Sequence, residues 1–372
     1  MRVGVVGAGI SGLLCAQRLS ELAAARVRVT VLEWGRGPGG RTARRRVTVE
    51  GDDASGASEE VSFDHAAPYF SATTGAFRDT LARWQAAGIA APWPEAGEGA
   101  WVGTPSSNAI TRHVVTELEG AGAAMLFGNH VLSAEHDGAV WRVRTQERGA
   151  DTAAELVFDA LVLSDKLLIL PNTYAVIAPE DVGAVALPQS LASTGTIVLS
   201  VALLRSAAMT AALPYLPDTA VANFSAATAA AAGRSPIIAR VIHDSAKPGR
   251  AADSPYDQWV VHSTADYATA HLVGESLDDE AAVLAEMRAA FLGAAAPDLS
   301  AAVVHASVMA WDHAQTAEGS RIVDAAYRID TARRVGVCGD FFGGDVQGVE
   351  AAALSGTALG TELATLLHKS EL

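Results

Sequence analysis

The sequence predicts an α/β protein with a Rossmann-type parallel sheet built from both ends of the chain and an inserted α+β lobe. The first observation is a strand–turn–helix–strand pattern over Val3 to Glu33. The second is a return to the buried-strand pattern at Arg334 to Asp340, followed by a helix. The third is a change to longer strands and loops between about residues 170 and 310. We therefore predict one lobe from residues 1–70, 105–168 and 320–372, and a second lobe from residues 71–104 and 169–319.

The first unit has the residues of a dinucleotide-binding turn. An apolar strand, Val3 to Val6, leads into Gly7-Ala8-Gly9-Ile10-Ser11-Gly12, and Leu13 to Leu22 continues as a helix. The three glycines allow the tight turn, a close approach of a pyrophosphate, and close packing of helix on strand. The free N–H groups of the helix N-terminus favour phosphate. A second strand, Arg28 to Leu32, ends at Glu33, whose carboxylate can accept hydrogen bonds from a ribose diol.

The remaining elements follow from hydrophobic periodicity and turn residues. We predict a polar loop over 51–60, irregular chain around Pro92 to Gly99, and a short helix or a loop in the alanine-rich stretch from Ser225 to Gly233. The predicted strands are Val61–Asp64, Val140–Val143, Ala160–Leu163, Thr196–Leu204 and Trp259–His262. The predicted helices are Phe77–Ala87, Ile110–Leu118, Leu277–Leu292 and Val349–Leu367.

Composition and charge restrict the possible partners and compartments. The 372 residues are 50% hydrophobic, and the net charge of −15 argues against nucleic acid or anionic membrane surfaces as main partners. The two cysteines, Cys15 and Cys338, lie in segments predicted to be buried and far apart in sequence, which fits a reducing compartment. No apolar run reaches the length of a transmembrane helix. We expect a soluble protein of the cytoplasm, or of the chloroplast stroma if a transit peptide was removed.

Two further segments favour FAD over NAD as the dinucleotide. Directly after Glu33 and Trp34 comes a glycine-dense loop from Gly35 to Thr42, in which Arg41 can pair with a diphosphate. Near the C-terminus, Gly339-Asp340 ends a strand, and an acid there can hold the ribityl hydroxyls. The helix that follows would direct its positive end at the pyrimidine side of an isoalloxazine.

With these segments the chain resembles the FAD-dependent amine oxidase superfamily and, within it, the plant and algal branch of the renalase family. The resemblance implies a p-hydroxybenzoate-hydroxylase-like fold, non-covalent FAD, and oxidation of misreduced or isomeric dihydronicotinamide nucleotides by O₂. The stretches around Lys247 and His262 are its most specific marks. The stretches that carry it are Gly7–Gly12, Gly39-Gly40-Arg41, Phe63–Phe70, Val102–Pro105, Ser164-Asp165-Lys166, His243–Arg250, Trp259–Tyr267 and Cys338–Phe341.

The chain departs from the family pattern at positions that lie on the substrate side of the flavin in that family. Ala66 and Pro68 stand where the family has Gly and Gln. Ser106-Ser107 replaces Gly-Met, and Met309-Ala310-Trp311 replaces His-Arg-Trp. These departures do not change the expectation that the chain binds FAD, but they leave the identity of the substrate open.

The predicted site residues divide into cofactor contacts and candidates for chemistry. Lys166 is a candidate for activating O₂, or a solvated lysine at a strand end. Tyr69, His243, His262 and Trp311 can approach the flavin or substrate, or can be core residues. No metal-ligand spacing is present, and plain packing is expected for Cys338. The predicted cofactor contacts are Gly7, Gly9, Ile10, Ser11, Gly12, Glu33, Trp34, Gly39, Gly40, Arg41, Thr42, Ala67, Pro68, Tyr69, Val131, Gly339, Asp340, Gly348 and Val349.

The function expected from these residues is hydride transfer from a small, flat, reduced substrate to FAD, with a dihydronicotinamide form as the first candidate. Only one Gly-x-Gly-x-x-Gly turn is present, so a nicotinamide donor would have to stack on the flavin directly. One alternative is amine oxidation or desaturation of a larger apolar substrate. Another is a flavin-stabilised assembly protein with a protein partner and little turnover.

The segment Lys247-Pro248-Gly249-Arg250 has a turn signal between two cations. We expect it to form a loop tip where Lys247 and Arg250 meet the anionic groups of a substrate. An exposed hairpin turn without a ligand is the alternative.

Overall fold

The fold is a mixed α/β structure, described from a computed structural model for residues 1–23, 26–50, 58–205, 220–224, 235–293 and 299–369. Its helices are α1 Ile10–Ala23, α2 Gly75–Ala86, α3 Ala109–Gly120, α4 Ala265–His271, α5 Glu280–Leu292 and α6 Gly348–Lys369. Its strands are β1 Arg2–Val6, β2 Arg28–Glu33, β3 Arg44–Glu50, β4 Ser58–Asp64, β5 Phe70–Ser71, β6 Ala90–Pro92, β7 Ala100–Gly103, β8 Ala124–Phe127, β9 Asn129–His136, β10 Trp141–Glu147, β11 Ala154–Phe158, β12 Ala160–Leu163, β13 Ser193–Leu204, β14 Val221–Asn223, β15 Ile238–His243, β16 Tyr256–Ser263, β17 Leu272–Val273, β18 Ser276–Leu277, β19 Val303–Thr316, β20 Arg328–Asp330 and β21 Val335–Val337.

A six-stranded sheet in the order β20-β21-β12-β1-β2-β8 joins the two ends of the chain. Its strands are parallel except for the edge strand β20. Strand β12 has no exposed side chain, as expected for a parallel strand covered on both faces. Helices α1, α3 and α6 cover one face around Val3 and Val5, and the three-stranded sheet β9–β11 covers the other around Val6 and Leu32.

A five-stranded antiparallel sheet in the order β14-β15-β16-β13-β19 forms the second layered unit. Its side chains alternate between two faces, as the strand period of two requires. One face, which includes Leu199 and Val261, packs on Met287 and Phe291 of α5. The other face includes Val198 and Val260, and packs on Phe63 of β4 and on Trp93. The predicted division of the chain into two domains stays a prediction, although these sheets follow it closely.

Most predicted elements agree with the structure, with differences at their ends. Ser58 to Glu60, predicted as part of a polar loop, are in β4, because they pair with Thr48 to Glu50 of β3. Leu277 lies in the short strand β18 instead of the helix that follows it. Residues 51–57 and the stretch from Ser225 to Gly233 lie outside the described residues. No helix in the described ranges is long and apolar enough to cross a membrane.

A buried cluster of four charged side chains connects β4 to the five-stranded sheet. Lys247 contacts Asp64 at 3.1 Å and also pairs with Asp244, while Arg250 pairs with Asp64. All four side chains are at most 7% exposed. Burial alone would raise the pKa of Asp64, but Lys247 and Arg250 lower it below its ordinary value. The cluster has two acids and two bases, so its charges are balanced where water is excluded.

The prediction that Lys247 and Arg250 form an exposed loop tip for anionic substrates is therefore wrong. The turn residues Pro248-Gly249 do reverse the chain, but the turn packs inward and both cations reach Asp64. Arg250 also donates to the carbonyl oxygen of Gly103 at 3.3 Å. Sequence patterns could not show this, because the partner Asp64 lies 183 residues before Lys247.

Replacing Lys247 by Met is expected to lower the free energy of unfolding by about 3–5 kcal/mol, because it leaves the buried carboxylate of Asp244 without its close cation and Asp64 with Arg250 alone. Chemical denaturation of the variant measures this loss. The control is Arg142→Met, which removes an exposed cation paired with Asp137 and Glu155 and should cost far less. Adding Asp244→Asn to the Lys247→Met variant should recover part of the loss. Equal stability of the Lys247 and Arg142 variants would contradict the structural role of the cluster.

Candidate functional site

The candidate site is a cavity of about 500 Å³ at the carboxyl edge of the six-stranded sheet. In open α/β sheets, ligands bind at this edge, where the loops after the strands meet. The wall combines the loops after β1, β2, β12 and β21 with the segment from Ala66 to Ser71 and with residues of the five-stranded sheet. The cavity is within the size range of small-molecule and cofactor sites.

The glycine turn after β1 has the geometry that its sequence predicts. Gly7 has a φ of 101°, which favours glycine. A Cβ on Gly12 would lie 2.2 Å from the carbonyl oxygen of Gly7, so Gly12 is required for packing the turn. A Cβ on Gly9 would meet no protein atom within 4 Å, although Gly9 lines the cavity. The backbone at Gly9 is therefore open to a ligand.

Glu33 links the glycine turn to the loop after β2. Its carboxylate accepts hydrogen bonds from the amides of Ala8 at 2.7 Å and Gly35 at 2.6 Å. An ionised carboxylate can accept about four hydrogen bonds, so two sites remain for hydroxyl groups of a ligand. The amide of Gly39 also donates to the carbonyl oxygen of Ala8 at 3.0 Å, which holds the loop against the turn. Glu33 therefore lies in the cavity wall where the sequence predicts a ribose contact.

Arg41 and Asp340 form a bidentate ion pair at the cavity, with N–O distances of 2.7 and 2.5 Å. Burial alone would raise the pKa of Asp340, but Arg41, Lys166 and Arg321 lower it below its ordinary value. Arg321 donates to the carbonyl oxygens of Asp340 at 3.1 Å and Val346 at 2.9 Å. The side chains predicted to contact a diphosphate and ribityl hydroxyls are thus neighbours, and each holds the other in place.

Lys166 is buried, in contrast to the solvated lysine of the alternative interpretation. Its Nζ donates to Thr316 Oγ1 at 2.9 Å, and the residue is 4% exposed. Burial lowers its pKa to about 8, while Asp340 and Asp165 oppose that shift. The cations Arg41, Arg321 and Lys166 lie near the acids Asp340 and Asp165, and with Glu33 at the glycine turn the three cations are matched by three acids.

Most predicted cofactor contacts line this one cavity, and four do not. Gly12 and Gly339 lie behind the wall, where a Cβ on Gly339 would lie 2.2 Å from the Phe341 ring. The Trp34 ring stacks on His130, beside Val131, at a smaller depression next to the loop after β2. The predicted contacts in the main wall are Gly7, Gly9, Ile10, Ser11, Glu33, Gly39, Gly40, Arg41, Thr42, Ala67, Pro68, Tyr69, Asp340, Gly348 and Val349.

Among the predicted candidates for chemistry, Tyr69 lines the cavity, and the other four do not. His262 is buried, and its Nε2 donates to the His65 carbonyl oxygen at 2.6 Å, with burial lowering its pKa to about 3. Trp311 packs on His65 with ring centroids 5.5 Å apart. His243 stacks on Trp259 at 4.1 Å, on the face of the sheet that packs against α5. The structure therefore gives His243 a packing position away from the cavity.

The comparisons with known proteins agree with this architecture. Residues 5–84 match the family model of an NAD(P)-binding Rossmann-like domain. A candidate protoporphyrinogen oxidase from Exiguobacterium sp. 255-15 has a TM-score of 0.62 at 10% identity and covers 98% of each chain. Putrescine oxidase has a TM-score of 0.54 at 12% identity, covering 98% of this chain and 99% of its own. A p-nitrophenol 4-monooxygenase from Pseudomonas putida has a TM-score of 0.53 at 14% identity, covering 99% and 80%.

The chain shares the fold of these oxidases and this monooxygenase. Its Rossmann-type NAD(P)-binding domain is the part that the family model matches. The predicted fold class, a Rossmann-type lobe with an inserted α+β lobe, is confirmed. The similar structures are matched over nearly the whole chain, so the likeness extends beyond the nucleotide turn.

Sequence reasoning missed several charged residues in the cavity wall, among them Arg240, Arg321 and Glu350. Arg240 is the one charged residue in the apolar run Ile237 to Ile242, which is a signal that could have identified it. Glu350 follows Val349 in the first turn of α6 and gave no such signal. Its carboxylate accepts hydrogen bonds of 2.6 to 2.9 Å from the backbone and hydroxyl groups of Thr73 and Thr74.

Glu350 holds the start of α2 against the start of α6. Thr74 is the N-cap of α2, and its hydroxyl accepts from Phe77 while donating to Glu350. Burial would raise the pKa of Glu350, but the hydrogen bonds from Thr74 and Thr73 lower it below the ordinary value. A carboxylate in the first helical turn is also stabilised by the helix dipole. Glu350 therefore fixes the helix N-terminus that borders the cavity.

The variant Glu350→Gln is expected to lose about 1–3 kcal/mol of stability at neutral pH, because an amide leaves two of the four donors without acceptors. Because the folded-state pKa is lowered, the carboxylate stabilises the fold above its unfolded-state pKa and loses this effect as pH falls through the folded value. The stability difference from the wild type should thus shrink below about pH 4. Denaturation curves between neutral and acid pH, with the exposed Glu119→Gln as control, measure it. A difference that stays constant with pH would contradict this role.

Proposed function

We propose that the cavity binds FAD non-covalently and that the protein is a renalase-like, FAD-dependent oxidoreductase. The observation that carries the proposal is that most of the residues predicted as FAD contacts, from distant parts of the chain, line one cavity. The similar structures include oxidases and a monooxygenase, which supports an oxidoreductase. The narrower likeness to renalases rests on the sequence motifs.

The wall fits the parts of FAD in turn. The open backbone at Gly9 and the start of α1 suit the pyrophosphate, and two free acceptor sites on Glu33 suit the adenosine ribose. Asp340, held ionised by Arg41, suits the ribityl hydroxyls. The start of α6 at Gly348 and Val349 suits the pyrimidine side of the flavin. FAD would supply the hydride-accepting chemistry.

The residues of the chain would then bind and orient the substrate. The segment from Ala66 to Tyr69 borders the cavity on the side of the five-stranded sheet, where the resemblance places the substrate. The departures at Ala66 and Pro68 alter this surface, whereas the buried Ser107 supports it by donating to the Ala67 carbonyl oxygen at 3.1 Å. His65 and His262 stay neutral at physiological pH, since burial lowers their pKa values to about 4 and about 3. The substrate is expected to be small, flat and reduced, with a dihydronicotinamide nucleotide as first candidate.

The cofactor proposal is tested by purification and by one glycine substitution. The protein should be yellow and should release FAD on acid denaturation. Gly9→Ala places a methyl group in open cavity space, so it should weaken FAD binding by about tenfold or more, equivalent to about 1.4 kcal/mol. Gly37→Ala is the matched control, because its Cβ also meets no atom within 4 Å and Gly37 lies outside the wall. A protein that stays colourless after incubation with FAD would refute the proposal.

The activity is tested by stopped-flow mixing of the FAD-loaded protein with isomers of NADH and NADPH under anaerobic conditions. Loss of the flavin absorbance band with one isomer, at a rate that depends on its concentration, is the expected result. Re-oxidation of the reduced protein by O₂ with release of peroxide should follow. If every isomer leaves the band unchanged, the renalase-like activity is absent from this protein.

A further inference from the structure

Arg240 is a cation in the cavity wall that no other charged group engages among the described residues. It lies on β15, opposite Asn223 of β14 and His262 of β16. Its Nε donates to Asn223 Oδ1 at 2.6 Å. Its guanidinium carbon is 5.4 Å from the centre of the Tyr69 ring. One edge of the side chain is therefore anchored, and the terminal nitrogens are left for another partner.

The other arginines of the wall are already engaged. Arg41 is held by both carboxylate oxygens of Asp340, and Arg321 donates to two backbone carbonyl oxygens. Within the described ranges, Arg240 forms no ion pair with a carboxylate and is half-buried. A guanidinium carries five N–H donors, and Asn223 accepts from one of them. The ring of Tyr69 stabilises the cation but accepts no strong hydrogen bond from it.

Among the residues that the structure describes, the groups that contact Arg240 supply no compensating anion. His262, its cross-strand neighbour, is neutral because burial and then the charge of Arg240 lower its pKa to about 3. The buried acid Asp64, which precedes Tyr69 in the same segment of the chain, is already paired with Lys247 and Arg250. Asn223 is uncharged, so the positive charge of Arg240 at the cavity is not cancelled by the groups that position it.

From this arrangement we propose that Arg240 binds an anionic group of the substrate, a carboxylate or a phosphate. The inference rests on the proposed function, since it assigns the substrate side of the same cavity. A planar guanidinium with one anchored edge presents its remaining donors in the fork that matches a carboxylate or a phosphate. Tyr69, beneath the guanidinium, limits its movement and provides a flat surface next to the anion. A protonated amine is a poor substrate for such a site, because Arg240 would repel it.

Ligand binding to the FAD-loaded protein tests the proposal with three probes of similar shape: benzoate, phenyl phosphate and benzamide. Isothermal titration calorimetry should detect tighter binding of at least one anion than of neutral benzamide. Arg240→Gln should weaken anion binding about ten- to hundredfold and leave benzamide binding unchanged. Arg240→Lys keeps the charge without the fork and should retain an intermediate affinity. The preferred anion distinguishes a carboxylate site from a phosphate site.

A second variant tests the anchoring without removing Arg240. Asn223→Asp places a carboxylate at Nε and should weaken anion binding by neutralising the cation, whereas Asn223→Ser should have a smaller effect. Arg142→Gln is the control for the loss of an arginine outside the cavity. Thermal unfolding of each variant shows whether the fold is kept, and retained benzamide binding shows that the cavity is intact.

Three outcomes would overturn the proposal. One is equal binding of benzoate, phenyl phosphate and benzamide to the wild type. Another is unchanged anion affinity in Arg240→Gln. The third is loss of FAD in Arg240→Gln with anion binding unchanged, which would assign Arg240 to the cofactor. A colourless protein would refute FAD binding instead, and the same calorimetric titrations on that protein would still decide the role of Arg240.

Discussion

The ion pair between Arg41 and Asp340 joins the two ends of the chain at the cavity. Arg41 lies in the loop after strand β2, and Asp340, which is 299 residues later in the chain, follows strand β21. Both N–O contacts are short, and Asp340 is nearly inaccessible to water. A buried carboxylate needs such a partner, because desolvation would otherwise favour its protonated form. The loops at the carboxyl edge of the sheet are thus held together by this ion pair as well as by packing.

A second contact between distant parts of the chain joins two helices. Glu350, at the start of α6, accepts hydrogen bonds from Thr73 and Thr74 at the start of α2. The cluster around Asp64 and Lys247 does the same between β4 and the five-stranded sheet. Each of these contacts joins residues far apart in the sequence and includes a carboxylate that is almost fully buried, that of Asp340, Glu350 or Asp64. Together they fix the segment from Ala66 to Tyr69 between the two sheets, where it forms one side of the cavity.

The cavity has two chemically different regions. Beside the glycine turn, the open backbone at Gly9, the carboxylate of Glu33 and the pair of Arg41 with Asp340 suit a dinucleotide cofactor. On the side of the five-stranded sheet, the wall carries Tyr69 and the half-buried cation Arg240. The first region follows a motif that many unrelated functions share, and in the proposed function the second region is the one that binds the substrate.

The sequence by itself determined the nucleotide-binding unit and the fold class. Strand, glycine turn, helix and acid are close in the chain, so local spacing fixes their geometry, and Gly7, Gly9 and Glu33 lie where the motif requires. Periodicity likewise located most strands and helices, with errors at their ends where pairing with distant strands extends an element, as at Ser58.

Only the tertiary structure determined the burial and the partners of the charged side chains. Lys247 and Arg250 looked like ligands for a substrate, yet they neutralise Asp64 in the interior. His243 faces the helix-covered side of its sheet, whereas Arg240, three residues earlier, lines the cavity. The burial and partner of a charged group depend on contacts between segments that are hundreds of residues apart. Sequence spacing carries no information about such contacts, and this is why the glycine-turn side of the cavity was predictable and the side formed by the five-stranded sheet was not.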